Sequence, residues 1–200
     1  PLEHPAIRTF FETLLPGASD AARSIMVGKV GLALSGGGFR ASFYHLGVLA
    51  CLAERGVLRD VEVLSCVSGG SIVGACYWLK LRQRLLRPEP MRHDSYVELV
   101  QELIAHFEDA VRANLRGQIQ PRVAEVVWRF LNDERGILDP ERAANALEQY
   151  FYRPLWPDDG PIQMDQLPFR PRDHDAALTG SEEFKPEKHN WLRAHKVPAL

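Results

Sequence analysis

The stretch VGLALSGGGFR at residues 30–40 joins a short apolar run to three consecutive glycines. The apolar run Val30–Leu34, followed by glycines, is typical of a buried strand. Within Arg40–Arg55 apolar residues recur every three positions, which fits one face of a helix. Gly56 stands where helices commonly end in a left-handed glycine. The stretch and its continuation therefore predict a strand, a glycine-rich turn and a helix in direct succession.

The same order of elements returns between residues 61 and 87. Val61–Leu64 has the apolar and β-branched composition of a second strand, and the turn CVSGG at residues 66–70 follows it. Ser71–Arg87 indicates a second helix that ends before Pro88. Strands that alternate with helices indicate parallel strands joined by crossover helices. We therefore predict an α/β fold, with a mainly parallel central sheet in a three-layer α/β/α arrangement.

The remainder of the chain follows a different pattern. Amphipathic spacing predicts two further helices, over Tyr96–Leu115 and Val123–Leu131, and Pro140 in a favourable first helical position predicts a third over Glu141–Phe151. From Pro154 onward, prolines mixed with charged residues predict mostly loops. Lys196–Val197 then indicates the start of another strand, so we expect a sheet that is incomplete within these residues.

The composition is that of an ordinary globular protein. Hydrophobic residues make up 46% of the 200 residues and charged residues 25%, which excludes disordered, collagen-like and coiled-coil chains. The near-balance of 24 basic and 26 acidic residues argues against a nucleic-acid binder. Three cysteines without a CxxC pair support neither a disulfide framework nor a zinc site. The longest uncharged run, Val63–Leu79, is shorter than the roughly 20 apolar residues of a membrane-spanning helix.

Ser68 lies in the predicted turn between the second strand and its helix. A serine in a sharp strand-to-helix turn has its hydroxyl pushed out of the sheet, and Gly69 and Gly70 permit the tight backbone. The N–H groups at the start of the new helix can stabilise a negative charge nearby. The usual elbow is Gly-x-Ser-x-Gly, whereas Cys66 stands at its first position here. The simpler interpretation is a turn that caps a helix and carries no chemistry.

Gly36, Gly37 and Gly38 expose consecutive backbone N–H groups with no side chains in the way. Such a nest suits the oxyanion that forms at an ester carbonyl during acyl transfer. On its own, a glycine triplet could equally be a flexible turn. Because the carboxyl ends of neighbouring parallel strands open onto one crevice, however, we expect both glycine-rich turns to converge on a single site.

Together these motifs resemble the patatin-like phospholipase family. The resemblance rests on GGGFR at residues 36–40 and VSGGS at residues 67–71, and His45 and Gly47–Leu49 in the intervening helix are similar as well. It covers roughly residues 28–80. The resemblance implies a patatin-like α/β fold and a lipid acyl hydrolase that works through a Ser–Asp dyad.

The resemblance also implies roles for individual residues. It makes Ser68 the nucleophile and the amides of Gly36, Gly37 and Gly38 the oxyanion hole. Arg40 would order that loop or neutralise charge, while its simpler interpretation is a helix-start arginine in contact with solvent. The implied reaction needs no metal and no cofactor. The implied partner is a lipid or phospholipid and not a nucleic acid. We accordingly expect peripheral contact with a membrane and a cytoplasmic or membrane-associated location.

The family's catalytic aspartate lies in an Asp-Gly-Gly or Asp-Gly-Ala tripeptide on a later strand, and neither tripeptide occurs in this sequence. The nearest match, Asp159–Pro161, indicates a turn. We therefore expect the aspartate to lie beyond Leu200. On this interpretation residues 1–200 form part of a single patatin-like domain, with a nucleophile and oxyanion core at 28–87 and a helical and loop-rich insertion at 90–195.

Three alternatives stay open at this point. A histidine that follows Ser68 could replace the aspartate as base; the candidates are His93, His106, His174, His189 and His195. Residues 36–41 also fit the Gly-x-Gly-x-x-Ala pattern of a dinucleotide-binding domain, although Asp60 and Glu62 begin the second strand instead of ending it. A catalytically silent interaction domain with the same fold is the third alternative.

Five basic residues cluster toward the end of the second predicted helix: Lys80, Arg82, Arg84, Arg87 and Arg92. A helix C-terminus favours cations, so a solvated face is the simpler interpretation. Contact with anionic lipid headgroups is the alternative.

Overall fold

The computed structural model describes residues 28–113, 140–156 and 184–199, together with Thr9, Thr13 and Pro171. Within these ranges it contains two paired strands and a set of helices that share one apolar core. The predicted helix over Val123–Leu131 falls outside the described residues.

Two strands and two helices form the unit predicted from the glycine-rich turns. Strand β1 (Val30–Leu34) leads into helix α1 (Gly38–Glu54), and strand β2 (Val61–Cys66) leads into helix α2 (Gly69–Leu85). The strands pair in parallel, as a crossover helix requires, which confirms the α/β prediction. Both helices begin two residues earlier than predicted, at Gly38 and Gly69, so a glycine of the preceding turn is the first residue of each helix.

Helix α1 ends at the predicted glycine. Gly56 has a φ of 68°, and its N–H donates to the Ala53 carbonyl oxygen at 2.9 Å. The Val57 N–H donates to the Leu52 carbonyl oxygen at 2.9 Å, which completes a Schellman motif. The chain then passes through a 3-10 turn at Leu58–Asp60 directly into β2.

The sheet continues on the side of β2 that faces away from β1. The Ala199 N–H donates to the Glu62 carbonyl oxygen at 2.9 Å, and the Leu64 N–H donates to the Ala199 carbonyl oxygen at 2.8 Å. These bonds form a parallel bridge. The strand predicted to start at Lys196–Val197 is therefore present as this one bridge, slightly later in the chain.

Helix α3 (His93–Arg112) packs against α1 and α2. Its buried residues recur at helical spacing: Tyr96, Leu99, Val100, Leu103, Phe107 and Ala110. Helix α4 (Pro140–Leu147) runs into a π-helical turn at Glu148–Tyr152 and a 3-10 turn at Arg153–Leu155. Phe151 of the π-helical turn lies against Phe107 with a centroid distance of 4.6 Å. All these elements thus contribute to one core.

A short helix α5 (Pro186–His189) and a 3-10 turn at Asn190–Leu192 precede the residues that join the sheet. The sheet itself has two different faces. Leu34 and Leu64 are 1% and 4% exposed on the side that packs against the helices, whereas Val63 is 45% exposed on the other side. The described residues represent only part of the predicted three-layer arrangement. The boundary drawn at residue 90 stays a prediction.

Candidate active site

Ser68 sits in a strained strand-to-helix turn. Its φ of 52° and ψ of −118° make it the one non-glycine residue with a positive φ among the described residues. Such a conformation costs about 1–3 kcal/mol and persists where the surroundings enforce it. Ser68 is also the N-cap residue of α2, yet it makes no side-chain cap bond. Its hydroxyl is therefore exposed and free of the capping role that serines usually have at this position.

The glycines that follow Ser68 allow the two turns to touch. A Cβ on Gly69 would overlap the Gly38 carbonyl oxygen, and a Cβ on Gly70 would overlap the Leu34 carbonyl oxygen. A Cβ placed on Gly36 would lie 3.3 Å from the Cβ of Ser68. The structure thus brings the glycine triplet and the Ser68 turn into direct contact, at the carboxyl ends of β1 and β2.

The electrostatic field at this contact favours an anion. Helices α1 and α2 both begin here, neither has an acidic residue in its first turn, and no side chain caps either end. Uncapped N–H groups and the helix dipoles give each end a partial positive charge. Arg40 adds an exposed cation to the first turn of α1, where a cation is otherwise unfavourable. A negative charge that develops beside Ser68 would be stabilised by all of these groups.

Cys66 replaces the first glycine of the usual elbow, and the structure shows where its side chain goes. A Cβ on Gly74 in α2 would overlap the Cys66 sulfur, so the thiol occupies the space that a larger residue at 74 would need. The turn accommodates Cys66 because the residue that faces it in α2 is a glycine. Burial raises the pKa of the Cys66 thiol, so it does not compete with Ser68 as a thiolate nucleophile near neutral pH.

We predict that Cys66 and Gly74 are energetically coupled. Gly74→Ala alone should lower the free energy of unfolding by about 2 kcal/mol, because the new methyl group overlaps the sulfur. In a Cys66→Ala background the nearest atoms to that methyl group are 3.5–3.6 Å away, at ordinary contact distance, so the same change should cost less. Urea denaturation of the wild type, the two single variants and the double variant in a double-mutant cycle measures the coupling. Strictly additive effects would contradict this account of the elbow.

No described residue hydrogen-bonds the Ser68 hydroxyl as a general base would. The four described histidines that follow Ser68 have contacts elsewhere: His106 with the Phe151 carbonyl oxygen, His189 with the Lys185 N–H, His195 with the Tyr96 hydroxyl and His93 beside Gly56. The described part of the chain thus gives the Ser–His–Asp alternative no support. His174 and the Asp159–Pro161 turn lie outside the described residues. The described ranges also contain no cluster of three metal-ligating side chains.

The predicted acids of a dinucleotide site are at the wrong end of the sheet. Asp60 closes the 3-10 turn before β2, and Glu62 is the second residue of that strand. The glycine triplet, in contrast, follows the carboxyl end of β1. Because the two strands are parallel, a ribose held at the triplet would be a strand's length from both acids. This geometry argues against the dinucleotide alternative.

The basic cluster is far from Ser68. Helix α2 has 17 residues and is about 25 Å long, and the cluster lies toward its opposite end. Three of its members have partners: Lys80 Nζ lies 3.0 Å from Glu102, Arg84 pairs with Glu98, and Arg82 stacks over the Trp156 ring at 4.3 Å. Arg87 and Arg92 are exposed and line a cavity of about 660 Å³. Two of the five basic residues thus form ion pairs with α3, and a third stacks on an aromatic ring.

Two polar residues that sequence analysis did not assign to the site contact both turns. Ser42 and His45 are buried in α1, on the same face as Leu46 and Leu49. Polar side chains that interrupt an otherwise apolar helix face are the signal that could have identified them.

Comparison with known proteins gives one match. A family model described as patatin-like phospholipase matches residues 32–179, a range that begins in β1 and includes both glycine-rich turns. No curated protein and no solved structure matches the chain.

Proposed function

This chain belongs to the patatin-like phospholipase family, and from that premise we propose that it hydrolyses acyl esters of lipids through an acyl-enzyme on Ser68. The single observation that carries the proposal is the state of Ser68. Its backbone is strained, its hydroxyl is exposed and uncapped, and it lies against Gly36 at the start of two helices. A turn that served packing alone would have no reason to hold a serine in this conformation.

In the proposed reaction Ser68 Oγ attacks the acyl carbonyl carbon, and its proton passes to a general base. The carbonyl oxygen becomes an oxyanion that accepts hydrogen bonds from the Gly36–Gly38 amides. The Gly69 N–H, which directly follows the nucleophile, is a further donor of the kind found in strand-to-helix elbows. Collapse expels the alcohol, which takes up the proton. Water then loses a proton to the base and attacks the acyl-enzyme, and the bond to Ser68 Oγ breaks as that oxygen takes up the proton and a fatty acid leaves.

The base in this proposal is an aspartate carboxylate, as the family resemblance implies. A carboxylate beside the serine would accept the hydroxyl proton and hold it for the leaving alcohol. This chain's own contribution is the nucleophile, the amide donors and the two helix N-termini. Each of these acts without a metal ion.

The substrate is proposed to be a lipid because an exposed apolar side chain borders Ser68. Val67 directly precedes the serine and is 62% exposed, and its Cγ1 lies 3.5 Å from the position of a Cβ on Gly36. An acyl chain can cover such a side chain, and both gain free energy because apolar surface leaves water. Membrane contact is accordingly proposed at this crevice and not at the basic cluster. Among the described helices, none has the length and apolarity needed to cross a bilayer.

The test is hydrolysis by the full protein of p-nitrophenyl butyrate and of phosphatidylcholine vesicles. We expect release of p-nitrophenol and of free fatty acid, while p-nitrophenyl phosphate stays intact because its hydrolysis needs different chemistry. A protein that hydrolyses no acyl ester and does not react with a fluorophosphonate would instead be the catalytically silent interaction domain.

A further inference from the structure

Helix α1 carries two buried polar side chains, each bonded to one of the two turns. Ser42 is fully buried, and its hydroxyl donates to the Gly69 carbonyl oxygen at 2.9 Å. His45 is 4% exposed, and its Nε2 lies 2.9 Å from the Ser35 carbonyl oxygen. A carbonyl oxygen can only accept, so His45 holds its proton on Nε2. One bond thus reaches the residue after the nucleophile, and the other reaches the residue before the glycine triplet.

The shorter bond of Ser42 and the backbone bond of His45 lead to residues outside α1. The Ser42 hydroxyl could bond within its own helix, but the Gly38 carbonyl oxygen is 3.3 Å away and the bond to Gly69 is shorter. A polar group is costly to bury unless it is hydrogen-bonded, and an apolar residue could fill either position without that requirement. Two polar side chains are nevertheless buried on the packed face of this helix. We therefore infer that their hydrogen bonds to the two turns are what these positions contribute.

We propose that Ser42 and His45 are positioning residues that hold the glycine triplet and the Ser68 turn at a set distance, an inference that rests on the proposed function. They are three residues apart and lie on one face of a rigid helix. His45 bonds to the Ser35 carbonyl oxygen in one turn, and Ser42 bonds to the Gly69 carbonyl oxygen in the other. Both turns are therefore held by the same helix. The oxyanion donors and the nucleophile are then aligned before substrate binds, and a displacement of about 1 Å can cost a hydrolase about 100-fold in rate.

The first measurement is kinetic. Ser42→Ala should lower kcat about 10- to 100-fold with KM changed less than about 2-fold, because alignment matters most in the transition state. His45→Leu should act in the same way, and His45→Gln should recover part of the loss, because it keeps an N–H donor. Ser95→Ala is the matched control. Ser95 Oγ accepts the Arg92 N–H at 3.1 Å at the start of α3, so this variant also loses one hydroxyl and one bond but should retain wild-type kcat.

The second measurement does not depend on activity. Hydrogen exchange of the peptide spanning residues 67–72 reports the Gly70 and Ser71 amides, which donate within the Ser68 turn at 2.9 Å. Ser42→Ala should speed their exchange at least about 10-fold, and Ser95→Ala should not. Unchanged exchange in Ser42→Ala, or an equal loss of kcat in Ser95→Ala, would overturn the positioning role. Faster exchange in a protein whose wild type hydrolyses no ester would retain that role and reject the proposed function.

Discussion

Replacement of Ser68 by alanine is expected to lower kcat for acyl-ester hydrolysis by about 10⁴-fold or more while the fold stays intact. Loss of a nucleophile that forms a covalent intermediate removes the acyl-enzyme path, and the amide donors that remain support only a small residual rate. The measurement is turnover of p-nitrophenyl butyrate by the full protein, with circular dichroism as the check on folding. Turnover near the wild-type rate would show that another group performs the attack.

Ser68→Gly provides a matched control that separates stability from activity. Glycine adopts a positive φ without strain, so this variant should gain about 1 kcal/mol in its free energy of unfolding, less what the unfolded chain gains in entropy. It should be as inactive as Ser68→Ala. A loss of stability in Ser68→Gly beyond about 1 kcal/mol, the entropic cost of a glycine, would mean that the backbone at this position is not strained.

Gly70→Ala is expected to lower the free energy of unfolding by about 3 kcal/mol or more. The added methyl group would overlap the Leu34 carbonyl oxygen and lie 2.8 Å from the Ser35 carbonyl oxygen. Both atoms belong to the backbone at the end of β1, and they cannot move without disturbing the sheet. A large fraction of this variant should be unfolded at moderate urea concentrations at which the wild type is still folded.

The control for this prediction is Gly47→Ala, the same substitution inside α1. A Cβ on Gly47 meets no atom within 4 Å, so alanine should raise stability by about 0.5–1 kcal/mol through its better helix propensity. Urea denaturation of both variants gives the comparison. A Gly70→Ala protein as stable as Gly47→Ala would show that the second turn does not lie against the end of β1.

The order of strands and helices could be predicted because its signals are local. Apolar runs that end in glycines mark β1 and β2, and the three-residue spacing after Arg40 marks α1. The helix starts were placed two residues late, since glycine is usually a helix breaker and its sequence position does not show that it begins the helix here. The bridge at Ala199 depends on pairing with β2 across more than 130 residues, which no local pattern specifies in full.

The components of the candidate site could also be predicted because their signals are local. The residues that hold these components in place could not be predicted. Ser68 and the glycine triplet stand in short motifs that can be recognised without a structure. The Ser42 bond to Gly69 spans 27 residues and exists because α1 packs beside α2. The compensation of Cys66 by Gly74 is likewise visible once strand and helix are placed face to face. The ion pairs of the basic cluster form between α2 and α3, so they could be identified only once the packing of these helices was known.

The most direct measurement is a crystal structure of the full protein after reaction with a fluorophosphonate. The account predicts a covalent bond between Ser68 Oγ and phosphorus, with the phosphoryl oxygen about 3 Å from amide nitrogens of Gly36–Gly38 and Gly69. A reagent attached to any other residue, or an adduct at Ser68 whose phosphoryl oxygen faces away from those amides, would contradict it.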